Sequence, residues 1–247
     1  MPIITAAAVM TITAVIINKS ALIAPLPAGH PFIRGKDMKF DHMYFFNGTA
    51  YAGKSTLVKY LAKKHGGIAC EENYHDALLP SLDAAAFPCL TYTRDLADWH
   101  DFIRRSPDEY EAWIKGVSRE CEILELQILE SLPRDGRPIF VDTNISLETL
   151  RKISDRDHVL IMLADPEISV ERFFNRPDRE KQFLYRLIME EKDPHAALEN
   201  FRQCLARINS RENYEMFLRS GFQVLHRDEG RTIAETAALA EKMLRLG

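Results

Sequence analysis

The chain has 247 residues, 46% of them hydrophobic and 28% charged, the composition of an ordinary globular protein with room for one large core. Its formal net charge of −4 excludes general attraction to nucleic acid or an anionic membrane, so any bound anion must be held by local positive groups. The four cysteines, Cys70, Cys89, Cys121 and Cys204, form no CxxC pair, which fits neither a zinc site nor a disulfide framework and points to reduced thiols in a cytoplasmic protein.

Residues 2–17, PIITAAAVMTITAVII, carry no charge. The run is shorter than the roughly 20 residues of a spanning helix and lacks the basic start of a signal peptide. Three readings of residues 1–38 compete: an extra β element, a weak membrane anchor, or an extension upstream of a domain that starts near Met38. The first and third together are preferred, because the run is short for a membrane span.

From residue 40 the pattern alternates between α and β. HMYFFN (42–47) is an apolar run before Gly48 and predicts a buried strand. A helix is expected over Lys54–Lys64, stopped by Gly66-Gly67. GIAC (67–70) predicts a second strand that ends in EENYHD, and residues 77–93 are expected to be irregular. DLADWHDFIRR (95–105) has the spacing of an amphipathic helix. Ser106-Pro107-Asp108-Glu109 is a capping box with proline at the first helical position, opening a long helix that Pro133 ends. RPIFVD (137–142), HVLIML (158–163) and FQVLHR (222–227) predict strands three, four and five. PEISVERFFNR, DREKQFLYRLIMEEK and HAALENFRQCLARINSRENYEMFLRS predict helices, and Thr232 with Glu235 forms a capping box for the last one. The expected fold is therefore α/β, with a parallel five-stranded sheet covered by helices on both faces. Ligands of such sheets bind beyond the carboxyl ends of the strands.

One of those ends carries Gly48-Thr49-Ala50-Tyr51-Ala52-Gly53-Lys54-Ser55-Thr56, a full G-x-x-x-x-G-K-[ST] match between a strand and a helix. Glycines let backbone N–H groups turn toward phosphate, and the helix start adds partial positive charge. Lys54 can reach the β- and γ-phosphates of a nucleotide such as ATP, and the Ser55 hydroxyl can ligate Mg²⁺. Asp142, at the end of strand three, is placed to hold a Mg²⁺-bound water or to touch substrate. A guanine-reading N-K-x-D is missing after the loop, no D-x-x-G occurs, and IFVD (139–142) offers one acid rather than a pair. These absences argue against hydrolysis as the purpose.

VERFFNRPDREKQFLYR places Arg172, Arg176, Arg179 and Arg186 in one segment after strand four, with Arg172 and Arg176 on one helix face at i, i+4. Here residues 40–245 resemble the nucleoside, nucleotide and shikimate kinase group of P-loop phosphotransferases. The resemblance implies a kinase-like domain over 39–247 with a helical lid at about 166–192, whose Arg172, Arg176 and Arg179 cover the transferred phosphate. It implies a base or substrate-positioning acid at the end of strand two, where Glu71, Glu72 and Asp76 stand. Glu72 is preferred, and Asp76 is second. Thr143 and Asn144 could add hydrogen bonds beside Asp142; the loop HRDEGRT (226–232) lies where the group packs adenine. No D-R-Y or D-R-S follows strand three and there is no shikimate-type glycine triplet, so the small-molecule acceptor stays open, with Arg94, Arg104, Arg105 and Arg119 available for an anionic one. The alternative is a P-loop ATPase or nucleotide-binding switch completed by a partner.

Overall fold

A computed structural model describes residues 40–175 and 179–246. The readings of residues 1–38 and the position of Arg176 lie outside these residues. The elements run in chain order as β1 (Met43–Gly48), α1 (Lys54–His65), β2 (Ile68–Cys70), a 3₁₀ turn at Asp76–Ser81, α2 (Pro88–Asp95), α3 (His100–Ile103), α4 (Pro107–Ser131), β3 (Ile139–Asp142) and α5 (Leu147–Ile153). They continue with β4 (Val159–Leu163), α6 (Pro166–Glu171), a 3₁₀ turn at Phe173–Asn175, α7 (Arg179–Glu190), α8 (Pro194–Ile208), α9 (Arg211–Leu218), β5 (Gln223–His226) and α10 (Ile233–Leu244).

All five strands pair in parallel in the order β2-β3-β1-β4-β5. Their two-residue alternation sends side chains to both faces. Phe45, Val141 and Ile161 bury against Ile128 of α4 and Leu150 of α5. Phe46, Phe140 and Leu160 bury against Leu57 and Leu61 of α1 and Ala240 of α10. Helices therefore cover both faces, which explains why these strands read as continuous apolar runs. A third cluster contains no strand. Phe102, Tyr110, Trp113, Leu184 and Phe201, from α3, α4, α7 and α8, form a helical body of their own. Its aromatic rings meet edge-on or tilted, with Phe102 and Trp113 5.2 Å apart and Tyr110 and Trp113 5.6 Å apart.

Both capping boxes form: Ser106 accepts from the Glu109 amide, and Thr232 from the Glu235 amide. The stretch between β2 and α4 departs from expectation. Residues 77–93 are not irregular, because they hold most of the 3₁₀ turn and of α2. The Glu120 carboxylate of α4 accepts from the Cys89 and Leu90 amides at 3.0 and 2.8 Å, so α2 is capped from another helix. The helix expected over 95–105 shrinks to the single turn of α3, whose His100 amide donates to Asp98 at 2.9 Å. One turn suffices to bury Phe102 and Ile103. Helix α5 was not anticipated; Ser146 caps it by accepting from the Thr149 amide. Among the described residues, no helix is long and apolar enough to cross a membrane.

Candidate functional site

The loop 48–53 leaves β1 beside the end of β4. Gly48 has φ +126°, and a Cβ there would lie 2.0 Å from the Met162 carbonyl oxygen, so only glycine fits. Thr49 fastens the loop to β4: its amide donates to the Met162 carbonyl at 3.0 Å, and its hydroxyl accepts from the Ala164 amide at 2.7 Å. Tyr51 holds φ 64°, an uncommon conformation for a bulky residue and one that clusters at ligand sites. Its carbonyl accepts from the Arg227 guanidinium, which follows β5. The amides of Ala50, Ala52 and Gly53 donate to no carbonyl among the described residues. Gly53, at φ 90°, caps the start of α1 without a side-chain bond. Such N–H groups at a helix start suit a bound polyphosphate.

Around this loop the structure gathers several of the expected residues. The Lys54 ammonium donates to the Thr49 carbonyl at 3.1 Å, curled back along the loop. The Ser55 hydroxyl donates to Asp142 Oδ2 at 2.6 Å and lies 3.5 Å from Glu72 Oε2. Phe46 and Asp142 stand opposite each other in the β1–β3 register, which explains how residues 87 apart in sequence meet. Asp142 is 4% exposed. Burial pushes its pKa up, while the Lys54 charge and the Ser55 hydrogen bond pull the other way. Glu71 and Glu72 diverge: Glu71 is buried in an ion pair with Lys59 at 2.5 Å, and Glu72 lines a cavity together with Lys54. Asp76 begins the 3₁₀ turn, 3.9 Å from His75, and does not line the cavity.

Of the arginines expected to cover the phosphate, Arg172 and Arg179 lie within the described residues. Helix α6 ends at Glu171 with Arg172 as its C-cap residue, and the 3₁₀ turn Phe173–Asn175 follows. Arg172 pairs with Glu229 at 3.2 Å, and Glu229 also holds Arg227 at 3.1 Å. Arg179 opens α7 on the exposed side. Neither Arg172 nor Arg179 lines the cavity, but Lys181 does. It is 0% exposed, with its ammonium 5.6 Å from the Tyr51 ring centre and 5.2 Å from that of Phe173. Its apolar partner Leu184, three residues on, shares its face. That spacing is the signal that would have singled it out.

Glu125 of α4 is the other functional candidate that sequence reasoning missed. It is 1% exposed and accepts from the Thr143 hydroxyl at 2.5 Å and from the Asn144 amide at 3.2 Å. Thr143 and Asn144 thus serve Glu125, and Glu125 fixes the turn after Asp142. It lies four residues after Cys121 and three before Ile128, on the buried stripe of α4. Desolvation raises its pKa from 4.5 to about 7, against hydrogen bonds from Thr143 and Asn144, with Asp142 adding to the rise. Its neighbours are His75, held near 4 by burial, and the buried Tyr74, Cys70 and Cys121, whose pKa values burial raises. A raised carboxyl pKa favours folding below its unfolded value and loses that contribution as pH climbs through the folded one. The rise from 4.5 to about 7 corresponds to roughly 3 kcal/mol. Glu125→Gln should therefore be more stable than the parent at pH 8 by up to about this amount, and much closer to it at pH 4.5. Urea unfolding at the two pH values measures the difference. An equal gap at both would mean that Glu125 does not titrate in this range.

The cavity holds about 420 Å³ and is lined by residues of the loop after β1, of α4 and of α9. That volume is within the roughly 300–1,000 Å³ of small-molecule sites. Among the described residues, no group of three or more His, Cys, Asp or Glu side chains forms a metal cage. Mg²⁺ bound with phosphates needs only one or two protein ligands and keeps several waters, so Ser55 and Asp142 fit it. No protein-family model and no curated protein matches this chain in sequence.

Proposed function

We propose that the protein is a P-loop kinase that transfers the γ-phosphate of ATP to a small-molecule acceptor. The observation that carries this reading is the 2.6 Å contact between Ser55 and Asp142 at a glycine-bound loop, beside a walled cavity. Amides of the loop take the phosphates, and the Lys54 charge offsets the charge that develops on the transferred group. Ser55 and Asp142 would hold Mg²⁺, which screens phosphate charge when bound. Glu72, lining the cavity beside Lys54, orients an acceptor hydroxyl and takes its proton. Among the described residues of the segment 166–192, Lys181 is a cation already beside the loop, and closure of that segment over bound nucleotide would exclude water.

The walled cavity favours this reading over an ATPase, which needs room for a water only. ADP release from ATP and Mg²⁺ should be slight alone and should rise with an acceptor, in a screen of nucleosides, nucleotides, sugars and antibiotics. Steady ADP release that no acceptor changes would favour the ATPase. Tight nucleotide binding without turnover would favour a binding module.

A further inference from the structure

The cavity next to the loop also carries information about the acceptor. Resting on the kinase reading above, we infer that the acceptor is a neutral alcohol without a phosphate group, with an apolar body and a hydroxyl directed at Glu72.

Charge is the first ground. The cavity is lined by three lysines, and two of them stand at the loop end: Lys54 on the loop itself and Lys181 against Tyr51. The third, Lys115, is paired with Glu111 at 2.8 Å, and both line the same wall. Among the described residues, no arginine lines the cavity. The arginines available for an anionic acceptor are engaged elsewhere or face away. Arg94 donates to the Leu79 and Leu82 carbonyls at 3.0 and 2.8 Å and to Asp95 at 2.7 Å. Arg104 pairs with Glu191 at 2.9 Å. The Arg105 guanidinium lies 4.0 Å from the Tyr92 ring centre and 5.2 Å from that of Trp113. Arg119 is exposed on α4. Among the described residues, a second phosphate held away from the loop would meet no uncompensated cation, whereas phosphate sites are built from arginine forks or lysines.

Hydrogen-bond polarity is the second ground. Asn144, Asn209 and Asn213 line the cavity. Each engages its amide N–H₂ within the chain, on Glu125 at 3.4 Å, the Leu205 carbonyl at 2.9 Å and the Ile208 carbonyl at 2.9 Å. The Ser118 hydroxyl likewise donates to the Ile114 carbonyl at 3.0 Å. Each amide keeps its oxygen and one N–H for a ligand, and the Ser118 oxygen keeps lone pairs to accept with. A rim of uncharged groups that both donate and accept matches a hydroxyl, which does the same, and supplies no charge to offset a phosphate. Between these groups Ile114, Leu205, Ile208 and Phe217 supply an apolar wall for the rest of the molecule.

The transfer balances without a further reactant. The acceptor oxygen forms a bond to the γ-phosphorus as the bond from that phosphorus to the β,γ-bridging oxygen breaks. ADP leaves with the electron pair, and the hydroxyl proton passes to Glu72 and then to water. The product is a phosphomonoester, not a phosphoanhydride.

The test uses the full chain, ATP labelled in the γ-phosphate, Mg²⁺ and a deproteinised small-molecule extract of the cells that make the protein. Half of the extract is first treated with alkaline phosphatase, which is then removed. Label is expected to move in both halves, at least as fast in the treated one, into a product whose phosphorus resonance is that of a phosphomonoester. Ser118→Leu, which fills part of the cavity from α4, should lower this transfer at least tenfold without changing ADP affinity. Transfer lost on phosphatase treatment, an anhydride product, or full transfer by the Ser118 variant would overturn the inference and leave the kinase reading standing. No transfer in either half would sink the kinase reading itself.

Discussion

Lys54→Ala is expected to lower phosphate transfer by about 10²–10³-fold, the range for removing one preorganised charge from a developing oxyanion. The fold should not change. Lys54 is the first residue of α1, is absent from every core cluster, and makes one hydrogen bond, to the Thr49 carbonyl. Alanine is also the best helix former. Circular dichroism and thermal unfolding should match the parent, and ATP binding should weaken much less than turnover. Turnover within a few-fold of the parent, in a variant shown to be folded, would falsify the role given to the loop.

Asp142→Asn should divide stability from function. The Asp142 pKa is raised chiefly by burial, so the ionised form is disfavoured in the folded chain. A raised folded pKa means that the carboxyl favours folding at low pH and that this contribution is lost as pH rises through that pKa. At neutral pH the amide, which keeps the shape and can still accept from Ser55, should therefore stabilise the nucleotide-free protein. Gains at such trade-off positions are commonly about 0.5–2 kcal/mol, or a few degrees in Tm for a chain of this size. Turnover should fall, and its Mg²⁺ midpoint should rise. An unchanged Mg²⁺ titration would reduce Asp142 to a strand-end residue, and a lowered Tm would mean that its charge is stabilising.

The five strands and the loop were legible because their signals are local. An apolar run with a glycine at its end reads the same way whatever packs on it. The other features needed the third dimension. Helix α2 is capped by Glu120, some thirty residues away, so no local pattern announces its start. Glu71 and Glu72 are adjacent in sequence, and only Lys59 on α1 decides which one turns from the cavity. Glu125 and Lys181 lie among the buried residues of their helices, where a charge is the anomaly to follow. Arg172 is tied to Glu229, beyond β5, a pairing that no local pattern announces.

The aromatic packing of the helical body has an optical consequence. The chain has two tryptophans. Trp113 lies in that body, and Trp99 packs on it; the sheet has neither. Near-ultraviolet excitation at the red edge therefore lights only the helical half, while peptide absorption at shorter wavelength sums over every strand and helix. Melting curves recorded in the two channels watch different parts of one chain. Superimposable curves would mean that the sheet and the helical body dissolve as a single cooperative unit. Separate midpoints would assign the earlier or later event to the half that carries the emitters. Tyr110, which lines the cavity, stands 5.6 Å from Trp113, so the same emission is placed to register a molecule entering beside it without any attached dye.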